Sequence, residues 1–241
     1  MTEEQDHPRD PRSLDEELLE AESLAIVSQL SDASRVERIQ EELRDGFEAL
    51  AHIGKAVSIF GSARALPDEP AYREARDIAR RLGEDGYAII TGGGPGIMEA
   101  ANRGAMEAGA PSIGLRIDLT HEGGANEWVD LQLDFHYFFT RKVMFVRYAS
   151  AFVVCSGGFG TLDELFEAAT LRQTEKIRHF PIVLYGSEFW SGLVDWLDGT
   201  VRRQGRIDEH DVSTLEVTDD PERVLAVVHA VEHRRPRDEG H

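Results

Sequence analysis

The sequence predicts an α/β protein with a Rossmann-like, doubly wound parallel sheet and a helical extension at the N-terminus. Two observations lead to this fold class. From Lys55 onward, short apolar runs of strand length alternate with amphipathic stretches of helix length, as in a parallel sheet with helices on both faces. Before Lys55 the periodicity is helical alone, and residues 1–54 carry 15 acidic and only 5 basic side chains.

The chain divides into four predicted segments. They are a disordered start, an acidic helical arm, a Rossmann-like nucleotide-binding catalytic domain and a frayed tail, at residues 1–13, 14–54, 55–232 and 233–241. The arm opens with a capping box, because Ser13 is followed three residues later by glutamate. Its apolar side chains exceed what a lone pair of helices can bury, so we expect it to pack on the domain or on a partner subunit; among them are Leu18, Ile26, Phe47 and Leu50.

Seven apolar runs of the domain are predicted strands. In chain order they cover residues 56–60, 87–90, 112–117, 129–135, 151–154, 181–185 and 215–217. Helices are predicted to begin near Ala71, Gly96, Thr140, Thr161 and Phe189, and a last helix covers residues 221–231. A loop at residues 118–127 interrupts this alternation and is a candidate to line a site.

Composition excludes several classes of function. The 241 residues are 41% hydrophobic, which is enough for a core, but no run is long and apolar enough for a membrane span. The net charge of −19 argues against nucleic-acid binding. The acidic start does not resemble a signal peptide, and the single Cys155 allows no internal disulfide, so we expect a cytoplasmic protein. The histidine spacing predicts no metal site.

Glycine-rich turns follow three of the predicted strands, and a helix follows each turn. They lie at residues 60–64, 91–99 and 155–164. Ligands of open parallel sheets bind at the carboxyl ends of the strands, and the free amides of helix N-termini bind anions. Glycines also serve in ordinary tight turns, but three such turns in one sheet favour a phosphate site. Neither the P-loop pattern nor the Gly-x-Gly-x-x-Gly dinucleotide pattern is present.

Glu164 is the first candidate for chemistry. A helix that starts at Thr161 places Glu164 nearly opposite a core face formed by Leu162, Leu165, Phe166 and Ala169. An acid in the first turn simply suits the positive end of a helix and stays ionised there. A helix N-terminus that holds phosphate should not present a carboxylate to it, however. If both roles are real, the carboxylate faces a part of the ligand that becomes positive.

Arg141 is the second candidate. On a helix from Thr140 it lies in line with Met144, Phe145 and Tyr148, so its stem covers apolar surface and its guanidinium emerges near a strand end. Taken alone, a snorkelling arginine on the surface is the better interpretation. The neighbouring Lys142 is either a second anion contact or an ordinary surface residue.

Two motifs resemble the Lonely Guy family of cytokinin riboside 5′-monophosphate phosphoribohydrolases, which are often named lysine decarboxylases. They are Gly92-Gly93-Gly94-Pro95-Gly96-Ile97-Met98-Glu99-Ala100 and Ser156-Gly157-Gly158-Phe159-Gly160-Thr161-Leu162-Asp163-Glu164-Leu165. The family's Arg-Lys pair is matched by Arg141-Lys142, and the resemblance runs from about Ala56 to Ala226. It implies a Rossmann-like homodimer that needs no cofactor. The implied reaction converts a purine nucleoside 5′-monophosphate, with or without an N6 substituent, to free base and ribose 5-phosphate.

The resemblance also implies roles for particular residues. Arg141 and Glu164 would be catalytic. The substrate and its phosphate would be bound by Gly61, Ser62, Gly92, Gly93, Gly94, Met98, Glu99, Lys142, Gly157, Gly158, Gly160 and Thr161. The sequence departs from the family pattern at Ser156, which replaces a proline. It also departs at Phe138-Phe139-Thr140, which replaces the Met-His-x that often precedes the Arg-Lys pair.

Two rival functions remain open at this point. A protein of similar fold can carry molybdenum cofactor or bind a nucleotide without turnover, and such a carrier would tolerate loss of Glu164. A pyridoxal phosphate decarboxylase would need a Schiff-base lysine in the site. Of the chain's three lysines, Lys55, Lys142 and Lys176, only Lys142 lies near the predicted site.

Overall fold

The computed structural model describes residue 15 and residues 32–117, 124–177 and 180–232. The predicted disordered start, the first helix of the arm, most of the loop at 118–127 and the predicted tail lie outside the described residues.

The strands and helices alternate along the chain as predicted. The strands are β1 (Ala56–Phe60), β2 (Ala88–Thr91), β3 (Ser112–Ile117), β4 (Leu131–Phe135), β5 (Ala151–Val154), β6 (Ile182–Tyr185) and β7 (Leu215–Thr218). The helices are α1 (Asp32–Leu50), α2 (Pro70–Glu84), α3 (Ile97–Glu107), α4 (Phe138–Tyr148), α5 (Phe159–Gln173), α6 (Ser187–Trp196), α7 (Glu209–Ser213) and α8 (Pro221–Glu232). A π-helical segment at Leu197–Arg202 and the short α7 were not predicted. Among these helices, none has the length and apolarity needed to cross a bilayer.

All seven strands are parallel and lie in the order β4-β3-β2-β1-β5-β6-β7. The chain therefore moves outward from β1 to one edge of the sheet, returns to pair β5 with the other side of β1, and continues to the opposite edge. The strand order reverses between β1 and β5, which is where ligands of doubly wound sheets bind. The predicted fold class is confirmed.

Side chains of the central strands are buried on both faces of the sheet. Along β1, Ala56 and Phe60 belong to one apolar cluster, whereas Val57 and Ile59 belong to the other. This alternation follows from the two-residue repeat of a strand, and continuous burial follows from the helices that cover both faces. The resulting core holds the carboxyl ends of β1, β2 and β5 in fixed positions.

Helix α1, the described part of the arm, packs on α4. Leu50 is fully buried in the core, and a Cβ atom on Gly46 would lie 2.8 Å from the Sδ atom of Met144, so glycine permits close approach of the two helices. Buried Glu42 accepts hydrogen bonds from the His136 amide at 3.0 Å and from Thr140 Oγ1 at 2.6 Å. The arm was expected to pack on the domain or on a partner subunit, and its helix α1 packs on the domain. The homodimer stays a prediction.

Candidate active site

A cleft of about 1030 Å³ opens beyond the carboxyl ends of β1, β2, β3 and β5. Ligand sites for small molecules occupy roughly 300–1,000 Å³, so a nucleotide can be accommodated. Most of the predicted site residues line the cleft: Gly61, Ser62, Gly92, Gly94, Met98, Glu99, Arg141, Gly158, Gly160, Thr161 and Glu164. The structure therefore brings together residues from the three glycine-rich turns and from the start of α4.

The glycines of the cleft are of two kinds. A Cβ atom on Gly157 would lie 2.1 Å from Thr161 Oγ1, and one on Gly61 would lie 2.5 Å from a methyl carbon of Ile97, so packing within the chain requires glycine there. A Cβ atom on Gly158 or Gly160 would meet no atom within 4 Å, and neither glycine has a positive φ. The protein's own packing does not require glycine at these two positions, which keep space open over the start of α5.

The N-terminus of α5 faces this open space. Gly158 is the N-cap residue, and no side chain among the described residues caps the helix. The first amides of a helix have no intrahelical acceptor, and the helix dipole places partial positive charge at the same end. This end of α5 therefore offers backbone donors to an anion in the cleft.

Glu164 lies within the cleft and is almost completely buried, at 4% exposure. Its Oε1 atom is 3.6 Å from Nη2 of Arg141, and its Oε2 atom has no hydrogen-bond partner in the described part of the chain. Burial raises the pKa of the Glu164 carboxyl to about 7, although Arg141 and Lys142 act to lower it. Near neutral pH the side chain thus exists in both protonation states.

This pKa corrects the expectation that helix position keeps Glu164 ionised. Helix α5 begins at Phe159 rather than Thr161, so Glu164 lies in its second turn, where the helix dipole has little effect. Desolvation of the buried carboxylate outweighs what remains of that effect. The predicted core face also needs correction, because Phe166 is 40% exposed whereas Leu165 and Ala168 are buried.

Arg141 extends from the first turn of α4 into the same cleft. The neighbouring Met144 and Phe145 are buried, as their alignment predicted, and the guanidinium lies 5.0 Å from the ring centroid of Phe138 and 5.5 Å from that of Phe145. Its side chain is 13% exposed. Arg141 therefore covers apolar surface and also holds a positive charge beside Glu164.

Lys142 does not line the cleft, which corrects its predicted contact with the ligand. Its Nζ atom lies 3.0 Å from Oδ2 of Asp163 and 2.9 Å from Oε2 of Glu167. Burial by itself lowers the pKa of Lys142, but hydrogen bonds to Glu167 and Asp163 raise it above the ordinary value. The residue joins α4 to α5 and so helps to hold Arg141 beside Glu164.

Two predicted glycines also lie outside the cleft lining. Gly157 packs on Thr161, and Gly93, with φ of 69°, lies against Arg116 and the backbone of Gly114. Both shape turns whose neighbouring residues line the cleft.

The turn at 92–96 is held by an asparagine that the sequence analysis did not identify. The side-chain amide of Asn126 donates to the carbonyl oxygens of Gly94 at 2.9 Å and Gly93 at 3.1 Å, and its backbone amide donates to Gly93 at 2.9 Å. It also contacts the buried Asn102, which accepts a hydrogen bond from Thr91. The only available signal was the position of Asn126 in the loop at 118–127.

Other residues of the cleft were not predicted as site residues either. They are Phe60, Ala63, Arg64, Pro95, Arg116, Ile117, Gly124, Phe138, Phe145 and Phe159. Phe159 is 93% exposed although it is a large apolar side chain. An aromatic wall near the start of α5 can cover the planar face of a ligand.

A comparison with protein families identifies the chain. The sequence model of the family described as "Possible lysine decarboxylase" matches residues 98–228, which is more than half of the chain. The chain belongs to this family. The matched region includes the Arg141-Lys142 pair and the motif that contains Glu164, and the predicted resemblance to Lonely Guy proteins is confirmed.

Curated relatives of the family are distant in sequence. A "Probable cytokinin riboside 5′-monophosphate phosphoribohydrolase" of Oryza sativa subsp. japonica is 30% identical over 141 residues, which cover 56% of this chain and 65% of the rice protein. A "Bifunctional cytokinin biosynthesis protein" of Fusarium pseudograminearum is 28% identical over 197 residues, which cover 71% of this chain and 39% of the fungal protein. The matches thus span less than two thirds of the length of the rice protein and of the fungal protein.

Solved structures of similar fold include proteins that bind molybdenum cofactor. The molybdenum cofactor binding protein of Rippkaea orientalis has a TM-score of 0.55 and 20% identity, with 73% of this chain and 95% of that chain covered. The Moco carrier protein of Chlamydomonas reinhardtii has a TM-score of 0.54 and 20% identity, with 75% and 99% covered. At these identities the likeness shows the fold alone.

Proposed function

We propose that the protein hydrolyses the N-glycosidic bond of a purine nucleoside 5′-monophosphate, with or without an N6 substituent, to free base and ribose 5-phosphate. The observation that carries this proposal is the buried carboxylate of Glu164, whose Oε2 atom lacks a hydrogen-bond partner in the described chain and which lies in a cleft beside an uncapped helix N-terminus. A buried oxygen without a partner costs free energy, so its retention favours a role in chemistry. The names of the rice and fungal relatives support the same class of substrate.

The 5′-phosphate is placed at the start of α5. The helix end offers backbone donors, and Gly158 and Gly160 leave room for an anion to approach them. Because the phosphate is held at the first turn and Glu164 lies in the second, the ribose is carried toward the carboxylate. The phosphate then serves as a handle whose binding energy orients the reacting bond.

Glu164 acts on the ribose. As the bond between C1′ and the base nitrogen breaks, the bonding electrons leave with the base and positive charge develops on the ribose ring. The carboxylate stabilises that charge and accepts a proton from the water that attacks C1′. The departing base takes up a proton from solvent, and Glu164 then releases its own proton to solvent. A pKa of about 7 suits a group that must gain a proton near neutral pH.

Arg141 positions the nucleotide from α4, next to Glu164. Its positive charge also opposes the effect of burial on the pKa of Glu164. Without it, more of the Glu164 population would be protonated and unable to act as a base.

The carrier function is the second candidate, because the fold is shared with proteins that bind molybdenum cofactor. A carrier uses the cleft for binding alone and gains nothing from a buried carboxylate without a partner. A pyridoxal phosphate decarboxylase fits less well. Lys142 is paired with two carboxylates outside the cleft, and no lysine is among the described residues that line it.

The test is a panel of nucleoside 5′-monophosphates with assay of free base and ribose 5-phosphate. We expect turnover by the unaltered protein and a loss in kcat of roughly 10²–10⁴-fold in Glu164→Gln, which keeps the shape of the side chain and removes its charge. The glutamine variant should still bind AMP. Glu188→Gln is the matched control, because it makes the same change at an exposed residue of α6 that does not line the cleft.

Two results would reject the hydrolase. One is the absence of free base with every nucleotide of the panel. The other is a folded Glu164→Gln variant whose kcat stays near that of Glu188→Gln. Either result, combined with retained nucleotide or cofactor binding, favours the carrier.

A further inference from the structure

The arginines of the cleft differ in their partners. Arg141 Nη2 lies 3.6 Å from Glu164, and Arg116 Nη1 lies 3.2 Å from Asp134. Arg64 also lines the cleft, and its guanidinium makes no hydrogen bond or ion pair with the residues that the structure describes. Of the three positive charges, that of Arg64 is therefore the one left for a ligand.

The backbone of Arg64 is held at the junction of two glycine-rich turns. The Ser62 amide donates to the carbonyl oxygen of Ser156 at 2.9 Å, just before α5, and the Ile97 amide at the start of α3 donates to the carbonyl oxygen of Ser62 at 3.0 Å. The hydroxyl of Ser62 accepts a hydrogen bond from the Arg64 amide at 3.1 Å. Ser62 is thus fixed to both turns through its backbone and holds the Arg64 amide through its hydroxyl, while the side chain of Arg64 is exposed.

We propose that Arg64 binds the 5′-phosphate of the nucleotide, opposite the amides of α5. This inference rests on the proposed function. A phosphate monoester carries a charge near −2 at neutral pH, whereas a helix N-terminus supplies only about half a positive charge. The cleft also contains Glu164, so a full positive charge is needed to hold the anion. The planar guanidinium of arginine matches two phosphate oxygens.

Arg64 takes the place that the sequence suggested for Lys142. The ammonium group of Lys142 is already bound by Asp163 and Glu167 outside the cleft. An unpaired arginine at the cleft, by contrast, can pair with the phosphate without first breaking an ion pair. The positive charge of Arg64, its position at the cleft and its lack of an ion-pair partner among the described residues therefore favour it over Lys142 as the phosphate contact.

The test compares AMP with adenosine by calorimetric titration of the full chain. All variants carry Glu164→Gln so that turnover does not consume the ligand. We expect Arg64→Gln to weaken AMP binding by about 10- to 100-fold and adenosine binding by less than about twofold, since the lost contact is to the phosphate alone. Arg64→Lys should recover part of the affinity. Arg73→Gln, which removes an exposed arginine of α2 outside the cleft, should match the parent.

Three results would overturn the inference. They are unchanged AMP binding in Arg64→Gln, equal weakening for AMP and adenosine, and no AMP binding by the parent. Base release by the protein with Glu164 intact separates this inference from the hydrolase. If AMP binding depends on Arg64 but no base is released, the inference about Arg64 stands and the hydrolase is rejected. If base is released and Arg64→Gln leaves the KM for AMP unchanged, the hydrolase stands and the inference about Arg64 is rejected.

Discussion

The turns that precede α3 and α5 are both rich in glycine, but they differ in the groups that contact their backbone atoms. Before α3, glycines at 92–96 are surrounded by the chain itself: Asn126 binds two of their carbonyl oxygens, and a Cβ atom on Gly96 would lie 2.3 Å from the carbonyl oxygen of Ser62. Before α5, Gly158 and Gly160 face open space and no side chain in the described part of the chain caps the helix. The first turn is contacted by the chain itself, whereas the second leaves open space at the start of a helix.

The largest expected effect is on the turn before α3. Gly96 has φ of 69° and ψ of −128°, a conformation that alanine adopts only with strain, and the added methyl group would collide with backbone. We expect Gly96→Ala to lower the free energy of unfolding by roughly 3 kcal/mol or more, a fall in Tm of about 10 °C for a chain of this length. Thermal unfolding followed by circular dichroism measures it. A Tm unchanged within a degree or two would show that the two turns do not differ in this way.

The open turn should respond in the opposite manner. An added methyl group at Gly160 meets no protein atom but occupies the space over the start of α5. Gly160→Ala should therefore leave Tm within about 2 °C of the parent and raise the KM for AMP by roughly 10- to 100-fold, since a displaced phosphate loses charge-assisted hydrogen bonds. The control is Gly192→Ala on α6, which adds a methyl group in open space away from the cleft. Gly109→Ala would not serve, because Gly109 has a φ of 68°. Equal KM values in both variants would place the phosphate elsewhere.

The two turns also show which features of the structure could be predicted from the sequence. Apolar runs located the central strands, because strands buried on both faces are nearly continuously apolar; the edge strands β4 and β7 are only partly buried but were also located. The order of the turns placed Glu164 near the predicted phosphate site. The pattern could not show that Lys142 turns toward Asp163 and Glu167, because that choice depends on where α4 and α5 meet in space. Neither could it identify Asn126, whose partners lie more than 30 residues away.

The start of α5 shows how a small boundary error changes the chemistry. Two residues, Phe159 and Gly160, precede the predicted start at Thr161, and they move Glu164 from the first turn to the second. The dipole argument for an ionised carboxylate then weakens, and burial decides the pKa. Burial of this kind is a property of the assembled cleft, so helical periodicity alone does not contain it.

The smallest expected effect tests that shifted pKa. Because burial raises the pKa of Glu164 to about 7, the ionised fraction increases as pH rises through that value, and a carboxylate that acts as a base gains activity with it. Between pH 6 and pH 8 we expect kcat/KM for AMP to rise about tenfold, which follows from the ionised fraction of a group with pKa near 7. Glu188→Gln should keep this rise, and the residual activity of Glu164→Gln should lack it. A profile that falls over the same range would mean that the protonated carboxyl is the active form, with Glu164 donating a proton to the leaving base instead of accepting one from water.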